Sequence, residues 1–348
     1  MFSWNNLKEY KLETPNNKLT LIGSSVAGNA TSFYIKERNI LLDCGIPSDY
    51  KPKVIIITHM HYDHVCSIVR YFLDMDNDRT YKPVIICPEK SVKLLIQYIE
   101  SAFRLTKNIF VPNKQVSLPE YIIIGSTLVN TQDKNNSIIL DVNRHSDKII
   151  TDSKYVHTNR QQELLIESKL DIRGMKVPYE IEPIRCNHGG QPTHGYGFIE
   201  LRTKLKDEYF TLDSSGKRVC KLSKKELYEL KKNNKLDTMK DIIKVPIFAY
   251  ICDTDHKVFL RDHKYEGYKL DKYPVIIIEC TFFKDGDIKK AKKDKHMHWF
   301  NLRKYILEHP NKYFKLIHIS NKYTSTDIQE FQSIINRDKL DDRVTIIH

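Results

Sequence analysis

Residues 58–64 read Thr-His-Met-His-Tyr-Asp-His and directly follow the apolar run Val54-Ile55-Ile56-Ile57. No other segment constrains the chain as strongly. A buried strand ends there, and His59, His61, Asp63 and His64 arrive within six residues. His59 and His61 are two apart, so in extended backbone they point the same way. Asp63 and His64 lie beyond the strand, in a loop or a first helical turn, and can address a second position. One segment could therefore serve two adjacent metal ions. Imidazole suits zinc, and a carboxylate in the same site leaves room for a bound water. A lone histidine after a strand is usually an ordinary hydrogen-bonded residue. Three histidines and an aspartate in this order would leave several costly unpaired polar atoms unless a metal took them.

The 348 residues suit one large α/β domain or two small ones. A hydrophobic fraction of 41% and an aromatic fraction of 10% speak against global disorder. Lys and Arg number 56 against 44 Asp and Glu, a formal charge of +12. That excess favours a polyanionic partner, nucleic acid first, over a merely soluble basic protein. The seven cysteines (44, 66, 87, 186, 220, 252 and 280) are odd in number and include no CxxC pair. This fits a reducing compartment rather than a disulfide framework. The N-terminus lacks a basic region followed by an apolar core, and no stretch approaches the roughly 18 apolar residues of a membrane span. The expectation is a soluble, intracellular, cytoplasmic protein.

Short Ile- and Val-rich runs recur: Leu19–Ile22, Ile40–Leu42, Val54–Ile57, Val84–Cys87, Tyr121–Ile124, Ile138–Leu140, Ile181–Ile184, Tyr196–Leu201, Pro246–Cys252, Val275–Ile278 and Lys315–Ile319. These read as strands of buried sheets. Apolar residues at three- and four-residue spacing predict helices over Asp63–Leu73, Glu89–Thr106 and Asp287–Glu308. The pattern predicts a layered α/β fold with two sheets inside and helices outside, in a single domain spanning 1–348. Residues 125–165 read as a polar loop with short strands. Residues 203–240 break the rhythm with eleven basic residues, among them Lys217, Arg218, Lys221, Lys224 and Lys225. Ser223-Lys224-Lys225-Glu226 has the form of a capping box opening a short helix. The segment reads as a projecting basic arm, with a solvated basic face as the alternative.

A second metal needs ligands from elsewhere, and strand ends supply candidates. His188 follows Pro183–Cys186, Asp253 follows Phe248–Cys252, and His318 lies within Leu316–Ser320. Each adjoins apolar residues, where an unpaired ionisable group is expensive.

In this order the motifs resemble those of the metallo-β-lactamase superfamily and, within it, ribonuclease Z, the tRNA 3′-processing endonuclease in its short form. The similarity runs from about Leu21 to Phe331. The His-x-His-x-Asp-His core is specific only to the superfamily. The narrower resemblance rests on Gly23-Ser24-Ser25-Val26-Ala27-Gly28, Asn187-His188 with Gly195-Tyr196, and Asp253-Thr254. It rests further on Glu279-Cys280-Thr281-Phe282, Lys295-His296-Met297-His298 and His318-Ile319-Ser320-Asn321-Lys322-Tyr323.

The resemblance implies a four-layer αβ/βα sandwich holding two zinc ions, with manganese or iron able to replace them. His59, His61 and His188 would hold one ion, and Asp63, His64 and His318 the other, with Asp253 bridging. A metal-activated hydroxide would attack phosphorus, with Asp63 orienting it as a base. His296, held by Glu279, would protonate the leaving oxygen. The 203–240 arm falls where the family carries its tRNA-gripping arm, so its lysines would bind phosphates. A homodimer acting on precursor tRNA or other RNA is implied.

The sequence departs from the family at several points. The Pro-Thr-x-x-Arg-Asn continuation after the glycine motif is replaced by Asn29-Ala30-Thr31-Ser32-Phe33. Cys252 stands where glycine is usual, Cys280 replaces alanine and Lys322 replaces arginine. Two other readings remain at this point: a phosphodiesterase of the same fold acting on cyclic or other small nucleotides, and a catalytically silent nucleic-acid-binding relative.

Overall fold

The computed structural model describes residues 7–14, 17–109, 116–128, 138–140, 156–158, 179–233, 235–262 and 264–348. The apolar runs become strands, and their alternation builds two sheets. In the strand Val54–Ile56, Val54 and Ile56 enter one apolar cluster, while Ile55 and the following Ile57 enter another. Successive side chains of a strand face opposite ways, so a run apolar throughout must be covered on both faces.

The first sheet runs, in spatial order, through Glu9–Thr14, Asn17–Ala27, Ala30–Ile35, Ile40–Leu42, Val54–Ile56, Val84–Pro88, Ile122–Ser126 and Val156–Thr158. The short strand Ile319–Ser320 pairs in parallel with Asn17–Ala27. The second sheet runs through Val344–Ile346, Tyr313–Ile317, Val275–Glu279, Lys240–Ile251, His194–Leu205, Tyr179–Arg185 and Ile138–Leu140. Between the sheets, Leu21, Phe33 and Ile56 pack with Phe198, Phe248, Tyr250 and Ile277. Outside the first sheet, Ile55, Ile85 and Ile123 meet Phe72 and Phe103 of the helices Ile68–Asn77 and Val92–Thr106. Outside the second, Ile276, Ile278 and Leu316 meet Leu302 and Phe331 of Trp299–Glu308 and Ser325–Arg337. This is the helix–sheet–sheet–helix sandwich expected from the resemblance.

Two expected helices are broken, each beside the His cluster. Asp63–Leu73 becomes Tyr62–Val65 and Ile68–Asn77. The backbone there bonds sideways instead: Cys44 N donates to His64 O at 2.6 Å, and Ser67 N to Cys44 O at 2.9 Å. The segment 287–308 becomes Ile288–Asp294 and Trp299–Glu308. Lys295 ends the first piece at φ +56°, and Phe282 N then donates to Met297 O at 3.2 Å. His298 caps the second helix by accepting from Phe300 N at 3.1 Å. The expected loop over 125–165 lies mostly outside the described residues, and its described pieces are the strands Ile138–Leu140 and Val156–Thr158.

The basic segment has a shape that its sequence did not disclose. The strands His194–Leu205 and Lys240–Ile251 pair antiparallel from Tyr196↔Tyr250 out to Leu205↔Lys240. Between Leu201 and Pro246 no described residue is buried. The hairpin therefore leaves the sheet and carries at its end a small ribbon, Phe210–Leu212 with Arg218–Cys220. The helix Lys224–Lys232 opens with the expected Ser223/Glu226 capping box. No helix among the described residues is long and apolar enough to cross a membrane.

Phe198 is fully buried and stacks on Phe248 with ring centroids 4.2 Å apart. Phe198→Ala is expected to lower unfolding free energy by about 3–5 kcal/mol in denaturant titrations. A loss under about 1 kcal/mol would mean that the inter-sheet core is not packed in this way.

Candidate metal centre

Strand direction gathers the site. Val275–Glu279 lies parallel to both Lys240–Ile251 and Tyr313–Ile317, with Ile251↔Ile278 and Glu279↔Ile317 in register. Tyr179–Arg185 runs the same way, being antiparallel to the strand between it and Lys240–Ile251. His188, Asp253, Glu279 and His318 therefore emerge at one rim. The first sheet reaches the same rim through Val54–Ile56, where His194 N donates to Thr58 O at 3.0 Å.

The seven candidate ligands converge there. His61 Nδ1 lies 2.9 Å from His59 Nε2 and 3.2 Å from His188 Nε2. Asp253 Oδ2 lies 3.5 Å from His59 Nε2 and 3.6 Å from His188 Nε2. On the other side, Asp63 Oδ2 lies 3.5 Å from both His64 Nε2 and His318 Nε2. Asp253 Oδ1 lies 3.5 Å from His64 Nε2 and 3.3 Å from His318 Nε2. One carboxylate thus turns one oxygen toward each donor set.

The outer nitrogens fix the tautomers. His64 Nδ1 donates to Asp43 Oδ2 at 3.0 Å, and His188 Nδ1 to Lys295 O at 3.4 Å. Thr58 Oγ1, itself donating to Asp43, accepts from His59 Nδ1 at 3.1 Å. Thr281 Oγ1 donates to Glu279 and accepts from His318 Nδ1 at 3.2 Å. With Nδ1 occupied as donor, each Nε2 presents a lone pair to the site. His64 Nε2 and His318 Nε2 are buried and have no hydrogen-bond partner. Burial holds the pKa values of His59, His61 and His188 down, keeping these rings neutral. Burial opposes charge on Asp63 and Asp253, yet the surrounding imidazoles, His318 and His64 foremost, outweigh it and hold both carboxyls low. Burial opposes charge on His64, but Asp253 and Asp43 outweigh it and raise its pKa. Imidazole nitrogens aimed at one another beside ionised carboxylates are a donor set that fits divalent cations.

The backbone is bent to achieve this. Asp43, Asp253 and His318 have φ of +54°, +34° and +60°, conformations that cost a residue with a side chain of order 1–3 kcal/mol. Gly45 permits the approach of the His-rich loop, since a Cβ there would meet Asp63 O at 1.8 Å. Gly28, at φ +73°, donates its N–H to Asp63 Oδ2 at 3.0 Å.

His296 stands beside the cluster, its ring 4.6 Å from that of His188. Its Nδ1 donates to Glu279 Oε2 at 3.1 Å. Burial works against protonation of His296, but Glu279 outweighs burial and raises its pKa to about 9. Glu279 is fully buried, and accepts from Met297 N at 3.1 Å and also from Thr254 N and Thr281 Oγ1. The arm residues Lys217, Arg218, Lys221, Lys224 and Lys225 are exposed, and the structure does not bring them to the metal cluster. Arg218 is paired with Asp207 and lies 4.0 Å over the Phe210 ring, and Lys221 Nζ donates to Glu208 O at 2.8 Å.

Sequence reasoning missed Asp43, Thr58 and Thr281, which hold the candidate ligands His64, His59 and His318 through their outer nitrogens. Asp43 carried a readable signal: it ends the buried run Ile40–Leu42, as Asp253 ends another. In the structure it accepts from Thr58 N at 2.8 Å and Tyr250 Oη at 2.8 Å as well as from His64.

No family model matches the chain. The chain is 22% identical over 320 residues to tRNase Z TRZ1 of Arabidopsis thaliana, which covers 90% of this chain and 89% of the relative. Among solved structures, human tRNase Z, short form, aligns at 15% identity and TM-score 0.48, covering 94% of this chain and 95% of that one. A diphosphatase from the PhnP family aligns at 11% identity and TM-score 0.47, covering 95% and 93%. The chain folds as a four-layer sandwich with a rim of His and Asp donors. Its chain-long sequence similarity is to a tRNase Z.

Asp43→Ala would release His64 Nδ1 and Thr58 together. Metal affinity is expected to fall about 10–100-fold, read by competition with a chromophoric chelator. Unchanged affinity would show that Asp43 does not hold the ligands.

Proposed function

We propose that the protein is a metal-dependent endoribonuclease of the ribonuclease Z type that removes the 3′ trailer from precursor tRNA. The observation that carries this reading is the shared Asp253, with a donor set on each oxygen, beside a histidine that Glu279 keeps protonated. His59, His61 and His188 would hold one ion and Asp63, His64 and His318 the other, with Asp253 available to both. Zinc suits these donors best, although manganese and iron can share them. When bound, such a pair supplies Lewis-acid stabilisation of phosphoryl charge and an activated water at neutral pH.

The chain's own residues do the rest. Asp63, steadied by the Gly28 N–H, orients the nucleophile and accepts its proton. His296, pinned through Nδ1 to Glu279, keeps its other proton to give to the departing ribose oxygen. The projecting arm meets the phosphate backbone with Lys217, Lys221, Lys224 and Lys225, and with Arg218 once its pairing to Asp207 is exchanged. These contacts position the substrate without reading bases. A cytoplasmic homodimer completes the reading, following the family resemblance.

The deciding test is cleavage of a 3′-extended precursor tRNA by metal-loaded protein, with the product ends mapped. A single cut after the discriminator base supports the reading. No cut, together with hydrolysis of a cyclic nucleotide, would move the activity to small phosphodiesters.

His296→Ala is expected to keep its metal content while kcat falls about 10²–10⁴-fold; loss of metal would contradict an acid role. Replacing residues 205–240 by a short Asn-Gly turn should abolish precursor cleavage yet spare a small phosphodiester substrate. In the intact protein, precursor binding should weaken steeply with salt, as released counterions require. Salt-insensitive binding would count against the arm.

A further inference from the structure

Cys252 immediately precedes Asp253 and is fully buried at the end of the strand Lys240–Ile251. Its Sγ lies 3.1 Å from Asp253 Oδ1, the oxygen that faces His64 and His318. Donor atoms of His64, Cys252, Asp253 and His318 all lie within 4.8 Å of one another. A sulfur at about 2.3 Å and nitrogens at about 2.0 Å from one ion stand roughly 3.5 Å apart at the tetrahedral angle, so the four need little movement to share it. His64 Nε2 and His318 Nε2, the two orphaned buried nitrogens of the site, belong to this same group.

We infer that Cys252 is itself a ligand at the Asp63–His64–His318 position, adding one sulfur to a nitrogen and oxygen donor set. The inference rests on reading the cluster as a metal centre. It concerns a feature peculiar to this chain, since the resembling family usually has glycine there. On binding, the thiol gives its proton to solvent and the sulfur takes the place that its hydrogen bond to Asp253 now fills. A soft thiolate favours zinc over manganese and magnesium at that position. Cys252 would thus set metal preference, while the neighbouring His59–His61–His188 position keeps nitrogen and oxygen donors only.

The test uses the full chain stripped of metal and titrated with Co²⁺ as the probe. The expected spectrum shows a sulfur-to-cobalt charge-transfer band in the near ultraviolet together with visible ligand-field bands. Cys252→Ser should keep the visible bands and lose the ultraviolet one, whereas Cys66→Ser should keep both. Visible bands without the ultraviolet band in the native chain would overturn the inference and leave the metal centre standing. An ultraviolet band that survives in Cys252→Ser would also overturn it. Absence of every cobalt band would sink the metal centre and the inference together. Should Cys252→Ser fail to fold, X-ray absorption at the zinc edge of the native protein decides. A sulfur shell at about 2.3 Å supports ligation, and nitrogen and oxygen alone refute it.

Discussion

The Asp253 carboxylate holds the site together. It is buried, and four imidazole nitrogens surround its two oxygens at 3.3 to 3.6 Å. A carboxylate taken out of water costs several kcal/mol unless opposite charge and hydrogen bonds compensate it. Here the compensation must be shared. All four imidazoles use Nδ1 as donor to oxygens outside the cluster: His64 to Asp43, His188 to Lys295 O, and His59 and His318 to the hydroxyls of Thr58 and Thr281. Burial opposes charge on His64, but Asp253 and Asp43 outweigh it and raise its pKa, so a proton on His64 offsets part of the carboxylate charge when no cation is bound. A divalent cation on each oxygen would compensate the carboxylate more fully, which is the basis of the proposed metal pair.

The fold exists, for this purpose, to bring five strand ends to one rim. Parallel neighbours in the second sheet deliver Asp253, Glu279 and His318 side by side, because each follows its strand in the same direction. At His318 the chain leaves Tyr313–Ile317 in the second sheet, and the next two residues pair with Asn17–Ala27 in the first. The left-handed backbone at His318 is the corner of that crossing. The side chain at such a corner faces neither core, which is what a ligand between two sheets requires.

The sequence disclosed the strands well, because Ile and Val runs buried on both faces have little other use. The strand-end donors His188, Asp253 and His318 were legible for the same reason: an ionisable residue closing an apolar run demands an explanation. The long helical pattern over 287–308 misled, since its apolar spacing continues through a break made by one left-handed residue, Lys295. Propensity does not register that Phe282 takes the backbone of Met297 as a partner. Asp43, Thr58 and Thr281 were missed because a hydroxyl or carboxylate that orients a ligand leaves no spacing pattern; its partners lie in distant strands. The arm's basic character was plain, but its hairpin form depends on two strands overrunning the sheet edge, and lysine-rich strand ends carry little periodic signal. The rim and the arm are thus built on different physics. The rim is buried, strained and over-determined, while the arm buries no described residue between 201 and 246.

The central claim is that one aspartate serves two metal positions, and metal stoichiometry tests it most directly. Native protein stripped and reloaded with zinc, then analysed by mass spectrometry under non-denaturing conditions, should carry two ions per chain. Asp253→Ala, checked for folding by circular dichroism, should hold neither ion with comparable affinity. A native chain saturating at one ion, or an Asp253→Ala chain that still holds two tightly, would contradict the account.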